Sequence, residues 1–217
     1  MIDWSPVLIS VETSLAATFA ALVLGIPAAL WSARRRSPLV RAFDSLVFFP
    51  VIVSPTVLGL VLVLIFGGGS AVGAGLESLG CRILFSWPAT VVVGTLVAFP
   101  LVYLATKRAV QRIDESLLET MRVFGFSGGR LVSAVVLPLI WPAVLAGAVL
   151  GFVRVFGEFG ATLMLAGDIP GKTRTVPLAI YSHVQTGDLS GALVLSGLFI
   201  VIALAALYAT SRLPSGN

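Results

Sequence analysis

The stretch Ala166-Gly167-Asp168-Ile169-Pro170-Gly171-Lys172-Thr173 comes within one residue of a nucleotide-binding loop. The phosphate-cradling pattern is G-x-x-x-x-G-K-[ST], and Ala166 stands where its first glycine belongs. Such a loop would hold nucleotide phosphates against backbone amides and the Lys172 ammonium. Its surroundings argue against that chemistry. A phosphate loop opens a helix directly after Lys-Thr, so that free amides face the anion. Here Thr173 is followed by Arg174, Thr175, Val176 and Pro177, and Pro170 removes one amide from the loop itself. The match is accidental, and the chain is not expected to hydrolyse ATP or to carry a catalytic site of its own.

Other reactive residue types are sparse. A single cysteine, Cys81, excludes an internal disulfide and a cysteine-based metal site, and a single histidine, His183, offers neither a metal cluster nor an evident nucleophile partner. No cofactor is expected. What remains is a charge pair in apolar surroundings, Arg154-Val155-Phe156-Gly157-Glu158-Phe159-Gly160. Positions i and i+4 are neighbours on a helix, so Arg154 and Glu158 can neutralise each other. Ionisable groups inside an apolar stretch also tend to line a water-filled path. The spacing is compatible with both roles.

Those residues need elements to hold them, and composition says which. Of 217 residues, 58% are hydrophobic and only 11% charged, against about 25% charged in soluble domains. The chain cannot clothe a water-facing globule. It reads as an all-α polytopic membrane protein, a single transmembrane domain over residues 7–212. Five apolar runs are long enough to cross a bilayer: 7–31, 43–66, 88–106, 131–153 and 190–211. The first is not a cleaved signal peptide, because it is too long and its basic cluster follows it rather than preceding it. The net charge of +4 is attributed to anchoring against lipid rather than to a nucleic-acid partner.

An odd number of spans puts the termini on opposite sides. With the N-terminus outside, the cytoplasmic segments hold Arg34, Arg35, Arg36, Arg41, Lys107, Arg108, Arg112, Arg122, Arg130 and Arg212, and the outside keeps Arg82, Arg154, Lys172 and Arg174. That asymmetry follows the positive-inside rule, and the reverse orientation would invert it. The expectation is therefore N-out and C-in, in a prokaryotic cytoplasmic (inner) membrane. Lys172 would then face a compartment without ATP.

Prolines 50, 55, 100, 138 and 142 fall inside the spans. Each removes a backbone hydrogen bond, which lipid tolerates only where neighbours satisfy the freed carbonyl. From residue 131 the apolar character runs on to 167, ~55 Å of helix if unbroken. The helix is expected to bend or end near Gly157, with 159–165 folding back at the outer half of the membrane. Residues 154–189 would form an outer gate and loop, with Lys172 and Arg174 facing outward. The glycine-rich loop 67–75 reads as merely flexible.

The segment 107–130 is the longest on the cytoplasmic side. Ser116 followed by Glu119 has capping-box spacing. Leu117, Leu118, Met121 and Phe124 fall on one face, and Gly125 is a natural stop. A helix of about two turns is not stable alone in water, so it must dock, either on lipid headgroups or in a partner protein.

Segment 119–138, ETMRVFGFSGGRLVSAVVLP, resembles the cytoplasmic E-A-A-x₃-G-x₉-I-x-L-P signature of ABC-importer permeases. Glu119, Gly125, Leu137 and Pro138 stand at the family's spacing, Val135 replaces its isoleucine, and Thr120 and Met121 replace its alanines. Downstream, Gly157 to Thr162 (GEFGAT), Ala166-Gly167, Ile169-Pro170-Gly171, Thr173, Thr175, Pro177 and Ala179-Ile180-Tyr181 are similar to molybdate importer permeases in particular.

The resemblance implies a type I ABC importer transmembrane domain that supplies half of an oxyanion pathway. Ser116, Leu117, Leu118, Glu119, Met121, Phe124 and Gly125 would form a coupling helix for a separate cytoplasmic ATPase. Arg154, Gly157, Glu158, Phe159 and Gly160 would form pathway or gate. The partners implied are a second copy of the chain, ATPase subunits inside and an oxyanion-binding protein outside, in contact with membrane lipid. Tungstate and sulfate are the alternative cargoes. An ion-gradient-driven carrier would show internal repeats and an intramembrane carboxylate without a cytoplasmic plug, and five spans with no visible repeat argue against it.

Overall fold

The computed structural model describes residues 3–212, whose regular elements are all helical. In chain order they are α1 (Ser5–Ser32), α2 (Pro38–Ile52), α3 (Pro55–Phe66), α4 (Ala71–Ser78), α5 (Trp87–Arg112), α6 (Glu115–Val123), α7 (Gly128–Leu131), a π-helical segment (Val132–Val136), α8 (Leu137–Phe156), α9 (Gly160–Ala166), α10 (Val176–Gln185) and α11 (Leu189–Arg212). Four helices are long and apolar enough to cross a membrane: α1, α5, the run Gly128–Phe156, and α11.

The expected span 43–66 is not one kinked helix. It is the pair α2 and α3, bent by 113° across Val53 and Ser54, and it makes a fifth span only as a broken one. Pro55 is the cause. A proline drives the residue before it out of helical geometry, and Ser54 is extended at φ −61° and ψ 143°. Its hydroxyl then accepts from Val57 N at 3.3 Å, restarting the helix. Pro138 acts differently. The chain widens to π-helix just before it, with Leu137 N–H reaching the carbonyl of Val132, which relieves the clash between the ring and the preceding turn.

Without a hydrophobic drive between helices in lipid, close packing of small residues holds such a bundle. Gly94 on α5 is the crossing point. A Cβ there would lie 2.7 Å from Val155 Cγ1 and 2.8 Å from Ala17 Cβ. Ala17, Ala21, Ala98 and Val102 extend this contact between α1 and α5. Gly147 lets α8 approach α5, where a Cβ would meet Ala105 Cβ at 2.9 Å.

Loop 67–75 departs from expectation. Ser70 caps α4 by accepting from Gly73 N at 2.8 Å, and Gly73 lies so close to the Gly67 carbonyl that a Cβ would come within 2.1 Å of it. Gly67 and Gly73 thus serve a tight approach, while Gly69 and Gly75 have open space around them. Helix α5 also runs to Arg112 rather than stopping at 106, so Lys107 lies within a helix.

Candidate functional site

One end of the bundle gathers the end of α1, the end of α5, and α6. Asp114 caps α6 through a 3.0 Å bond from Ser116 N to its Oδ1. The expected capping box is not formed, because Ser116 already lies inside the helix and its carbonyl accepts from Thr120 Oγ1 at 2.8 Å. The stop is as expected. Gly125 adopts φ +87°, Gly125 N bonds the Arg122 carbonyl and Phe126 N bonds the Met121 carbonyl, each at 3.0 Å. Those two bonds are the Schellman pattern, which fixes the helix end rigidly.

The expected single apolar face of α6 divides. Leu118 is 4% exposed and packs, with Met121 beside it, into the cluster of Val110, Leu131 and Val135. Leu117 is at the exposed margin, Glu119 is exposed, and Phe124 is 74% exposed because it caps the helix instead of continuing it. Val123, absent from the expected set, is 86% exposed next to it. The helix is anchored by one side and presents apolar groups with the other.

The opposite end holds residues 154–189. Helix α8 ends at Phe156 with Gly157 as its cap, as expected, and the separate helix α9 starts at Gly160. The expected fold-back of 159–165 is not formed. Val155 lies at Gly94 and the Leu165 carbonyl accepts from Phe85 N, so the chain continues along α5 toward its start. Arg154 Nη1 donates to Glu158 Oε2 at 2.8 Å, while Glu158 Oε1 accepts from Ala161 N at 3.1 Å. Glu158 therefore neutralises Arg154 and caps the first turn of α9 at once. Gly160 rests on the α2–α3 break, where a Cβ would touch Pro55 Cβ at 3.0 Å. Phe159 packs against Tyr181 with ring centroids 5.3 Å apart. Both belong to an apolar pocket of about 420 Å³ that includes Gly157, Ile180 and Phe199.

The 166–173 stretch is built unlike a phosphate cradle. The amides of Lys172, Thr173 and Arg174 all bond the Ile169 carbonyl at 3.0–3.1 Å. Thr173 is buried, donating to the Gly167 carbonyl and accepting from Ile169 N. With its amides engaged, the loop cannot wrap a phosphate. Lys172 is exposed. Arg174 is not free: its Nε and Nη2 bond the two Asp168 oxygens at 2.6 and 3.0 Å.

His183 contacts Asp188 Oδ2 at 2.8 Å, and Ser190 Oγ donates to Asp188 Oδ1 at 2.7 Å. The carboxylate is central, so the serine is not activated by the imidazole, and the arrangement lacks nucleophile geometry. The Gly191 amide, then the Ser190 hydroxyl, hold the Asp188 carboxyl below the usual carboxylate range.

Sequence reasoning missed one cluster entirely. Lys107 Nζ bonds Asp44 Oδ1 and Oδ2 at 2.6 and 2.7 Å, and Tyr103 hydroxyl donates to Asp44 Oδ1 at 2.6 Å. Ser32 Oγ lies 2.5 Å from the same hydroxyl. Arg154 and Glu158 are thus not the only charges set in apolar surroundings. The available signal was Asp44 inside an apolar run, together with the i, i+4 pair Tyr103 and Lys107.

Residues 21–212 match the family described as binding-protein-dependent transport system inner membrane component. The chain is 38% identical over 211 residues to the molybdenum transport system permease protein ModB of Mycobacterium tuberculosis (strain ATCC 25618 / H37Rv), covering 97% of this chain and 80% of that one. It is 34% identical over 207 residues to ModB of Escherichia coli (strain K12), covering 94% and 90%. Among solved structures, the MetNI methionine ABC transporter in inward-facing conformations superposes with TM-score 0.70 at 18% identity, over 96% of this chain and 94% of that one. A bacterial alginate ABC transporter in complex with its alginate-bound periplasmic protein gives TM-score 0.67 at 18% identity, over 95% and 79%.

Proposed function

The chain belongs to the binding-protein-dependent transport system inner membrane component family, a family of transport subunits, and from that premise we propose that it is the permease of an ATP-driven molybdate importer. Residues 7–212 act as one transmembrane domain, with the N-terminus outside and the C-terminus in the cytosol. Two copies enclose the pathway. An ATPase subunit docks on α6 from the cytosol, and an oxyanion-binding protein docks near Lys172 at the α9–α10 end. ATP hydrolysis belongs to the partner, and this chain contributes no catalytic group.

The observation that carries the coupling role is the divided face of α6. Leu118 ties the helix to α5, α7 and the π-helical segment, so a push on Val123 and Phe124 is transmitted to the bundle instead of being absorbed by a loose loop. Closure of an ATPase dimer would move both copies of α6 together and shift a helix packing that needs a bias of a few kcal/mol. Gly157, Phe159 and Gly160, the last seated on the α2–α3 break, are the moving gate, and Arg154 with Glu158 sets its charge balance. Molybdate is favoured as cargo by the two permeases matched over most of the chain; tungstate and sulfate are the alternatives.

The test is uptake of radiolabelled molybdate with sidedness in the same cells. Uptake should need a co-expressed ATPase and persist when the proton gradient is collapsed with ATP maintained. An impermeant maleimide should label native Cys81 from outside and leave Ser127→Cys, in a chain that also carries Cys81→Ser, unlabelled. Uptake by the chain alone that an uncoupler abolishes, or external labelling at 127, would refute the proposal.

A further inference from the structure

A cavity of about 940 Å³ lies where α1, the 33–37 turn, the start of α2 and the end of α5 meet. Five cationic side chains line it, Arg34, Arg35, Arg36, Arg41 and Lys107, against two carboxylates, Asp44 and Glu115. Their engagements differ. Lys107 is neutralised by Asp44 at the floor. Arg34 is held by Glu115 Oε2 at 2.8 Å and by the Ile113 carbonyl at 2.7 Å. Arg35 lies over the Trp31 ring, 5.5 Å from its centroid. Arg35, Arg36 and Arg41 are exposed and have no carboxylate partner among the described residues.

Three uncompensated cations therefore surround one cavity. Arg41 also stands in the first turn of α2, which contains no acidic residue, where the positive end of a helix disfavours a cation. An anion in the cavity would relieve both repulsions. The volume belongs with sites of about 300–1,000 Å³ that hold organic ligands larger than a four-oxygen ion. Its neighbourhood is apolar as well: Trp31 packs edge-on against Phe43, and Leu39 and Leu46 are 68% and 67% exposed along α2.

We propose that this cavity is a binding site for the phosphate headgroup of an anionic phospholipid. Arg36 and Arg41 clamp the phosphate at the rim, Arg35 adds charge above Trp31, and the acyl chains run along Leu39 and Leu46. Basic pockets between helices on the cytoplasmic side suit such headgroups. The inference rests on the proposed sidedness, which puts this end of the bundle at the inner leaflet. A bound lipid would brace the α1–α2 turn beside Glu115 in the first turn of α6, next to the element assigned to coupling.

The test is native mass spectrometry of the full chain purified in detergent and supplied with phosphatidylglycerol or phosphatidylcholine. Phosphatidylglycerol should be retained in preference. Arg36→Gln/Arg41→Gln should weaken its retention roughly 30-fold, each arginine contributing about fivefold. Arg108→Gln/Arg112→Gln removes the same charge from exposed positions outside the cavity and should leave retention unchanged. Equal retention of the two lipids, or equal loss in the two double variants, overturns the proposal. So does inorganic phosphate binding the wild-type chain and displacing the lipid, which would make the cavity a site for soluble oxyanions. Retention is read without ATPase, binding protein or uptake, so its failure is separate from failure of the transport assignment, and sidedness is read independently by labelling at residue 127.

Discussion

Arg154 and Glu158 form one ion pair in two environments: the Glu158 side chain is 3% exposed and the Arg154 side chain 43%, with 2.8 Å between their bonded atoms. The carboxylate is the committed partner, because it also accepts from Ala161 N. Removing either residue therefore has unequal effects. Arg154→Ala leaves a buried carboxylate without its counter-ion, and should destabilise the protein by about 1–3 kcal/mol. Glu158→Gln keeps an acceptor for Ala161 N and should cost less. Thermal unfolding in detergent should rank the wild type, Glu158→Gln and Arg154→Ala in descending order. The reverse order of the two variants would mean that the pair is not what holds α9 in place.

The division of α6 separates stability from coupling. Leu118→Ala removes a side chain 4% exposed, and should cost about 2–4 kcal/mol through lost transfer energy and a cavity. Phe124→Asp alters a side chain 74% exposed, and its melting temperature should match the wild type's. Under the coupling proposal the Phe124 variant nonetheless loses co-purifying ATPase and uptake. Glu119→Lys should do likewise. Wild-type uptake in the Phe124→Asp and Glu119→Lys variants would remove α6 from the coupling path.

The long spans were legible because bilayer crossing is written in local composition. Residues 7–31 and 190–211 anticipate α1 and α11 to within two residues at each end. The break at Gly157 was equally local, marked by glycines within an apolar run too long for one crossing. What escaped depends on distance or on competition. Asp44 and Lys107 are 63 positions apart, and nothing near either residue announces the other. At α6, Asp114 and Ser116 are both good N-caps; Asp114 prevails because its backbone is extended, at ψ 132°, leaving Ser116 within the helix. The 113° turn at Pro55 is a matter of degree. Proline predicts a break, but packing of Gly59 on α3 against Ala161 and Met164 of α9, and of Gly160 on Pro55, sets its angle.

The α1–α5–α8 crossing gives a contrast between two glycines. A methyl group at Gly94 would meet Val155 Cγ1 at 2.7 Å and Ala17 Cβ at 2.8 Å, whereas one at Gly75 would meet nothing within 4 Å. Gly94→Ala should therefore destabilise by about 1–3 kcal/mol, the range for overpacking. Gly75→Ala, within helix α4, should stabilise by about 0.5–1 kcal/mol through the unfolded chain. Melting temperatures moving in opposite directions would support helix approach at Gly94 as the determinant; a neutral Gly94→Ala would show that the bundle yields there.

Asp188 supplies a pH dependence whose sign is fixed. The carboxylate accepts from Gly191 N at 3.0 Å and from Ser190 Oγ at 2.7 Å, at the start of α11, and those bonds lower its pKa in the folded chain. A folded pKa below the unfolded one means stability that is complete above the unfolded value, near 4 for an aspartate. That stability shrinks as pH falls through the unfolded and then the folded pKa, and is absent below both. The contribution is therefore present at neutral pH and is lost under acid. Asp188→Ala should lower the melting temperature at neutral pH, and the gap to wild type should close as the pH is taken below 4. Gly191→Ala brings a Cβ within 2.5 Å of Asp188 Oδ2, displacing the carboxylate from its donors, and should reproduce that narrowing gap. A gap independent of pH in Asp188→Ala would show that the side chain acts there by packing and not as a charged cap.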